Sequence, residues 1–569
     1  MRTLGKLLCA LFMSFGVMFG QPYTLTINAT NGIVTKTPDK SSYNSGESVI
    51  VRAFPNSGYG FGHWYGDFFG LTNPDTVVMD GNKTVNLYVN EVKVITLPNG
   101  KQMRFRRIPS GVYWMGNVKG DPKWVVSSDG RPNAERVRRI TIAYEFYIQE
   151  TEHQQGHYVG VMDSLYYQPS MGSHLQYKDT ISMNYTPWKH VKEEFLPKIN
   201  SLSLGTFRLP TEAEWEYAVR GPETNPFRYS DFYFGEATTF PNSLTSCEID
   251  AYVWWGANYS GGGGYPMPCG KLIQNPYGLY DMPGNIYEWC EDDFALNYNG
   301  APTDGSAYKD SPPSPPQEDQ KVLRGAWHES LYPVARFRSA FRTSHGELFC
   351  HGSTGFRLVL EMPDDAQAPT NPSSLQGNVV SCAQIDLSWT ASTDNAGISG
   401  YKIIRNDTCV DISHTNTYSD KGLSPNTSYI YTVQAFDARG NVSGFSNSIT
   451  KTTGSLSTNP PVANSQIISV EQNSEVEFTL QASQENGHSL SYHIVNYPPN
   501  GMLFGYGKFP QALYMPDENY SGVDSFTFRV YDGYAYSNTS TVKIEVSHIN
   551  QPPSAASGSY VTKKIHLSL

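Results

Sequence analysis

Imidazoles and carboxylates that could ligate a metal gather in one stretch of the chain, at His328, Glu329, His345, Glu347 and His351. Such donors suit a hard or borderline divalent cation if their loops converge. None of their spacings matches a known ligand pattern, so solvated loop residues are the ordinary outcome. Six cysteines follow the first twenty residues, at Cys247, Cys269, Cys290, Cys350, Cys382 and Cys409. Six allow fifteen pairings. Proximity in the chain favours Cys247 with Cys269 and Cys382 with Cys409, which leaves Cys290 with Cys350. Arg324, Arg336, Arg338, Arg342 and Arg357 present forked donors that could bind an anion. Their expected use is to tie loops together through bidentate pairs with residues such as Asp281, Glu288 and Asp292.

These residues must be positioned by a large, loop-rich molecule. A chain of 569 residues exceeds what one core holds, and about four domains are expected. Only 17% of residues are charged and 13% are aromatic, with 38 Tyr, 50 Gly and 37 Pro. That balance suits β-rich extracellular modules better than helical bundles. The net charge, 42 minus 53 or -11, argues against a nucleic-acid partner, which calls for a basic stripe. Arg2 and Lys6 precede an apolar run from Leu7 to Phe19, and residues 1–20 read as a secretory signal peptide. The run is too short to span a bilayer and no second long one follows, so no transmembrane helix is expected and the protein is read as secreted or held at a cell surface.

From residue 21 to 95, apolar and polar residues alternate between turn signals such as Asn31-Gly32 and Asn44-Ser45-Gly46. With G-Y-G-F-G-H-W-Y-G-D at Gly58 to Asp67, this module resembles the internalin-type B repeat, which implies a spacer or adhesion unit. Tyr59, Phe61, Trp64 and Tyr65 are expected to fill its small core. Residues 366–454, with I-D-L-S-W-T-A-S-T-D-N and L-S-P-N-T-S-Y-I-Y-T-V-Q-A-F-D, resemble a fibronectin type III sandwich with Trp389 and Tyr429 in its core. Residues 458–548 resemble a cadherin-like or immunoglobulin-like bacterial repeat, and residues 549–569 read as a tail or a truncated repeat.

The central residues 96–361 carry F-R-L-P-T-E-A-E-W-E-Y-A-V-R-G from Phe207, Y-G-L-Y-D-M-P-G-N-I-Y-E-W from Tyr277, R-G-A-W from Arg324 and G-F-R-L from Gly355. Thr211 before Glu212 and Glu214 reads as a helix start, with Trp215, Tyr217 and Ala218 turned inward. Together these motifs resemble the formylglycine-generating enzyme, or sulfatase-modifying factor, family. The resemblance implies an α+β, C-type-lectin-like domain set among all-β modules. Active members oxidise a sulfatase cysteine with copper(I) held by two thiolates, in a segment of the form G-G-S-x-x-C-x-x-x-x-C; a soft ion requires such soft ligands. Aligned on Trp327, the two cysteine positions fall on Glu329 and Val334, and the serine position on Ala326. Copper is therefore not expected, nor are catalytic residues.

The same resemblance implies structural calcium at Asn285, Ile286 and Glu288, and more weakly at Asn258 and Tyr259, where the following loop has no Asp. It places Trp327, His328 and Tyr332 in the family's peptide cleft, where a glycan or extended peptide would lie. The chain is read as a bacterial-type surface protein whose central domain is a ligand-binding or structural scaffold. Two alternatives stand beside that reading. One is a formylglycine-generating or related oxidase with a non-standard site, and the other is a structural component of a surface or secretion apparatus.

Overall fold

The computed structural model describes residues 22–116, 138–166, 179–222, 251–255, 266–295, 298, 300–309, 320–327, 337–455, 460–484, 490–505, 510–517, 519–532 and 535–548. Among them, no helix is long and apolar enough to cross a membrane.

One strand, Lys83–Thr96, joins the first two modules. Its first half pairs in parallel with Leu25–Ala29 and antiparallel with Tyr59–Gly66, and its second half pairs antiparallel with Gln102–Ile108. Asn99-Gly100 makes the turn, with Gly100 at φ 80° and its N–H donating to Leu97 O. The sheet then continues through Phe146–Gln149 and Val359–Glu361 to Phe207–Arg208. A second sheet, Gly32–Thr37 with Glu47–Pro55 and Asp75–Met79, closes the first module over Trp64, which is wholly buried and donates its indole N–H to Thr72 O. Phe61 packs against that core, while Tyr59 and Tyr65 are half-buried at its margin.

The seam between these modules is polar and enclosed. Arg106 is 4% exposed and bonds Glu150, Asn90 and Phe61 O. His63 places Nδ1 3.0 Å from Pro276 O, and burial pushes its pKa down to about 4. A Cβ on Gly278, which also sits at φ +85°, would lie 2.6 Å from the Arg106 guanidinium carbon. The Y-G-L-Y motif therefore needs glycine for both space and backbone conformation.

The rest of the central domain folds around a second four-stranded sheet, ordered Thr343–Gly346, Gln320–Arg324, Tyr287–Asp293 and Thr354–Gly355. The helix Glu212–Arg220 begins with a capping box: Glu214 N donates to Thr211 Oγ1, and the Glu214 carboxylate accepts from Thr211 N. Trp215, Tyr217 and Ala218 enter the core, and so do the charged residues of this helix. The fibronectin-like module has seven strands in sheets of three and four. Trp389 is in its core, but Tyr431 is the wholly buried tyrosine and Tyr429 only packs against its edge. Both face inward on Ser428–Phe436, and the one nearer the middle of the strand lies deeper.

No disulfide joins any two of Cys269, Cys290, Cys350, Cys382 and Cys409, which corrects the expected pairs Cys382 with Cys409 and Cys290 with Cys350. Cys409 lies on Thr408–Ser413 in the four-stranded sheet, while Cys382 precedes Gln384–Thr390 in the opposing three-stranded one. Cys290 is sealed in an apolar cluster, and Cys350 donates its thiol to Tyr185 O. Cys247 lies outside the described residues.

Candidate functional site

Two networks of buried charge form where the central motifs meet. In the first, Glu212 and Glu216 stand one turn apart on the capped helix and face the second sheet. Arg342 grips Glu212 with two bonds of 2.7 and 2.6 Å. Arg324, from the end of Gln320–Arg324, reaches both Glu212 and Glu216 and also donates to Ser339 O and Ala340 O. Arg220 completes the set by binding Glu216 at 2.7 Å. Among the described residues Asp292 takes no arginine; it accepts from Glu212 N and Tyr308 N, and burial together with Glu212 pushes its pKa up to about 7. Arg338 is buried, and Arg336 lies outside the described residues.

The second network has a single arginine among the described residues. Arg357 holds Glu288 through bonds of 2.6 and 2.7 Å, and Trp215 Nε1 donates to the same carboxylate. Arg357 also donates to Gln149 O and Tyr280 O, which fixes the signature loop against the first sheet. Behind this pair lie two more buried acids. Glu152 accepts from Asn285 Nδ2 at 2.6 Å, from Ile286 N at 3.2 Å and from the Ser182 hydroxyl. Asp281, at φ 56°, accepts from Gly270 N through Oδ2, while its Oδ1 is enclosed and has no hydrogen-bond donor among the described residues. Cys269 Sγ is 3.2 Å from Ser182 Oγ and 3.6 Å from Glu152.

One ligand atom each of Glu152, Cys269 and Asp281 lies within 4.8 Å of the others, and all three residues are buried. Burial, then the charges of Asp281 and Glu288, raises the Glu152 pKa well above the carboxylate range. Burial, with Glu288 adding to it, pushes Asp281 up to about 6. The Cys269 thiol is raised by burial and by Glu152. Metal ions are the ordinary remedy for such a group, because a divalent cation reverses the local electrostatics.

The residues expected to hold calcium are arranged differently. Asn285 Oδ1 accepts from Met267 N, and both oxygens of Glu288 are engaged by Arg357 and Trp215. Ile286 gives its N–H to Glu152. Asn285, Ile286 and Glu288 as placed do not fit an open calcium shell; the open oxygen belongs to Asp281. Asn258 and Tyr259 lie outside the described residues. So do His328, Glu329, Tyr332 and Val334.

Beside them, Ala326 is buried at φ 70°, and Trp327 is half-buried with its ring edge-to-face against His351 at 5.5 Å. His345 stacks on Phe349 at 3.7 Å, and Glu347 pairs with Lys189 at 3.0 Å. A second acidic grouping, Asp365, Asp394 and Asp437, joins the linker after the central domain to the next module. Asn441 bridges it by donating to Asp365 O and to Asp437.

Sequence reasoning missed Glu152 and Cys269 as neighbours and treated Asp281 as an arginine partner. The signal available was Asp281 itself, an acid between the glycines Gly278 and Gly284 of the signature motif.

Residues 98–362 match the family described as sulfatase-modifying factor enzyme 1-like domain. Residues 23–88 match the divergent InlB B-repeat domain, 368–452 the fibronectin type III domain and 458–545 the bacterial Ig domain. A formylglycine-generating enzyme of Thermomonospora curvata is 34% identical over 162 residues, covering 27% of this chain and 49% of that protein. An alpha-amylase of Niallia circulans is 45% identical over 89 residues, covering 16% of this chain and 7% of that protein. The chain thus spans at most about half the length of these curated relatives. The solved structure of PvdO from Pseudomonas aeruginosa is 23% identical, with a TM-score of 0.37, over 48% of this chain and 98% of PvdO. Four modules stand in series, and the central domain belongs to the sulfatase-modifying factor enzyme 1-like family.

Proposed function

We propose that this is a secreted, surface-displayed protein whose central domain is a binding or structural scaffold and not a copper oxidase. The observation that carries the reading is the identity of the residues at the two family cysteine positions, Glu329 and Val334. Copper(I) is a soft ion that selects thiolates, and neither residue supplies one. Cys290 and Cys350 do not replace them. Cys290 is wholly buried with its thiol raised by burial, and Cys350 is committed to Tyr185 O. Export is supported by the basic and apolar start of the chain, Arg2 and Lys6 before Leu7 to Phe19.

The ligand favoured by this reading is a glycan or extended peptide lying over Trp327, His328 and Tyr332. Two measurements test it. Titration with copper(I) under strong thiol competition, followed by incubation with a Cys-x-Pro-x-Arg peptide and oxygen, should give neither tight binding nor aldehyde. Tight two-sulfur copper binding with aldehyde formation would overturn the scaffold reading. Glycan and peptide arrays should give signals that Trp327→Ala removes, and signals unchanged by that substitution would place the ligand elsewhere.

A further inference from the structure

We propose that Glu152, Cys269 and Asp281 form a buried site for a borderline divalent cation of the zinc class. This goes beyond the scaffold reading and does not depend on what the cleft binds. The three side chains come from segments far apart in sequence. Glu152 follows the strand Phe146–Gln149, Cys269 lies in the loop before the Tyr277 signature, and Asp281 is inside that signature. They are nonetheless gathered so that one ligand atom of each lies within 4.8 Å of the other two.

A second observation points to a ligand independently. Asp281 is 4% exposed, and its enclosed Oδ1 has no donor among the described residues. An ionised oxygen left so is costly, and it is relieved either by a proton or by a bound cation. Charge counting agrees. Among the described residues Glu152, Asp281 and Glu288 oppose Arg357 alone, so the ionised carboxylates leave two uncompensated negative charges, and the Cys269 thiolate adds a third, which a divalent ion reduces to one.

The donor set selects among ions. Calcium takes about six to eight oxygen ligands, whereas this cluster offers two carboxylates and a sulfur. Zinc accepts that mixture in about fourfold coordination, at roughly 2.0 to 2.3 Å, and only a small contraction of the cluster brings the three ligands to it. Binding ionises the Cys269 thiol and releases its proton to solvent, as metal thiolates require. The surrounding shell is in place: Ser182 Oγ and Asn285 Nδ2 both donate to Glu152 Oε2, and Asn285 is held in turn by Met267. Enclosure makes the role structural. The ion would clamp Glu152, the Cys269 loop and the signature loop into one unit.

The test uses the full chain, stripped with a chelator and titrated with zinc, and with cobalt as a coloured reporter. One equivalent should bind, and the cobalt form should show a sulfur-to-metal charge-transfer band. Cys269→Ser should remove the band, and Cys290→Ser should leave it intact. Ser182→Ala should weaken zinc binding by roughly ten- to a hundredfold, as loss of an outer-shell partner does, and Asp281→Asn by more. If Asp281→Asn fails to fold, anomalous scattering at the zinc edge in crystals of the parent decides the matter. No stoichiometric uptake, a band that survives Cys269→Ser, density for zinc away from Asp281, or calcium binding indifferent to Cys269 would each overturn the proposal.

Discussion

The two buried networks of the central domain share a helix, a sheet and the residue Trp215, yet they differ in charge balance. Around Glu212 and Glu216 stand Arg220, Arg324 and Arg342, each carboxylate touching at least two guanidinium groups. Around Glu152, Asp281 and Glu288 stands, among the described residues, only Arg357. The first network is complete without any ligand and acts as a lock between the helix Glu212–Arg220 and the second sheet. The second is stable only by holding protons or by gaining a cation. The lesson is that burial of acids does not by itself mark a functional site, since what separates a lock from a site is whether the protein supplies the neutralising charge.

The largest expected effect comes from the arginines. Arg357→Ala leaves Glu288 buried with no cation, and removing one partner of such a pair costs about 3 to 5 kcal/mol. Arg324→Ala should cost less, because Glu216 keeps Arg220 and Glu212 keeps Arg342. Urea unfolding of the two variants measures the difference. Equal losses would show that redundancy in the first network counts for nothing and would break the comparison.

The acids should then behave in opposite ways. Glu216→Gln removes a charge that two arginines need and should cost about 3 kcal/mol, near the low end for a broken buried pair. Glu152→Gln in chelated protein removes a charge with no dedicated partner, and its cost should fall below about 1 kcal/mol, the size of an ordinary lost hydrogen bond. A large loss for Glu152→Gln without metal would mean that its hydrogen bonds, not its charge, define its role.

Much of this architecture is legible in the sequence, and the reasons are local. The start of the helix at Thr211 is written in T-E-A-E, where cap and acid lie three residues apart. The Arg357 to Glu288 pair was expected because each falls in a recognisable motif. The cluster behind it was not expected. Glu152 and Cys269 are 117 residues apart and sit in irregular loops, where no period of 2 or 3.6 reports which side chains face each other. Cysteine counting also pulls the wrong way, since an exported chain invites disulfides and hides a thiol that stands beside two acids. In the fibronectin-like module, alternation along Ser428–Phe436 correctly turns Tyr429 and Tyr431 to one face but is blind to depth, so Tyr431 at the centre was overlooked.

The pH dependence of stability gives a sharper test. Asp281 is pushed up to about 6 and Asp292 up to about 7, both above the unfolded carboxylate value of about 3.9. For an acid raised on folding, the folded state binds the extra proton, so stability declines as pH rises between the two values. The penalty is absent below about pH 4 and complete above about pH 6 for Asp281, or about pH 7 for Asp292. Unfolding curves of chelated protein from pH 4 to pH 8, compared with those of Asp281→Asn, should therefore converge at the acid end. They should diverge in favour of the variant by pH 6. A parent that gains stability relative to the variant over that range would show that Asp281 already has a cationic partner.

A further test lies in the cap that aims the first network. Thr211 Oγ1 accepts from Glu214 N at 3.1 Å and donates to Gly305 O at 2.8 Å, while Glu214 returns a bond to Thr211 N. Thr211→Ala should cost about 1 kcal/mol, and Thr211→Ser much less, since serine keeps the hydroxyl. The size of the alanine loss decides what holds the lock together. If it exceeds the loss for Glu216→Gln, the arginines are being held in place by the helix start, and charge balance follows from geometry. If it stays near 1 kcal/mol while Glu216→Gln costs about three times as much, the arginines hold the helix. The contrast between a balanced and an unbalanced network is then one of energy and not only of arrangement.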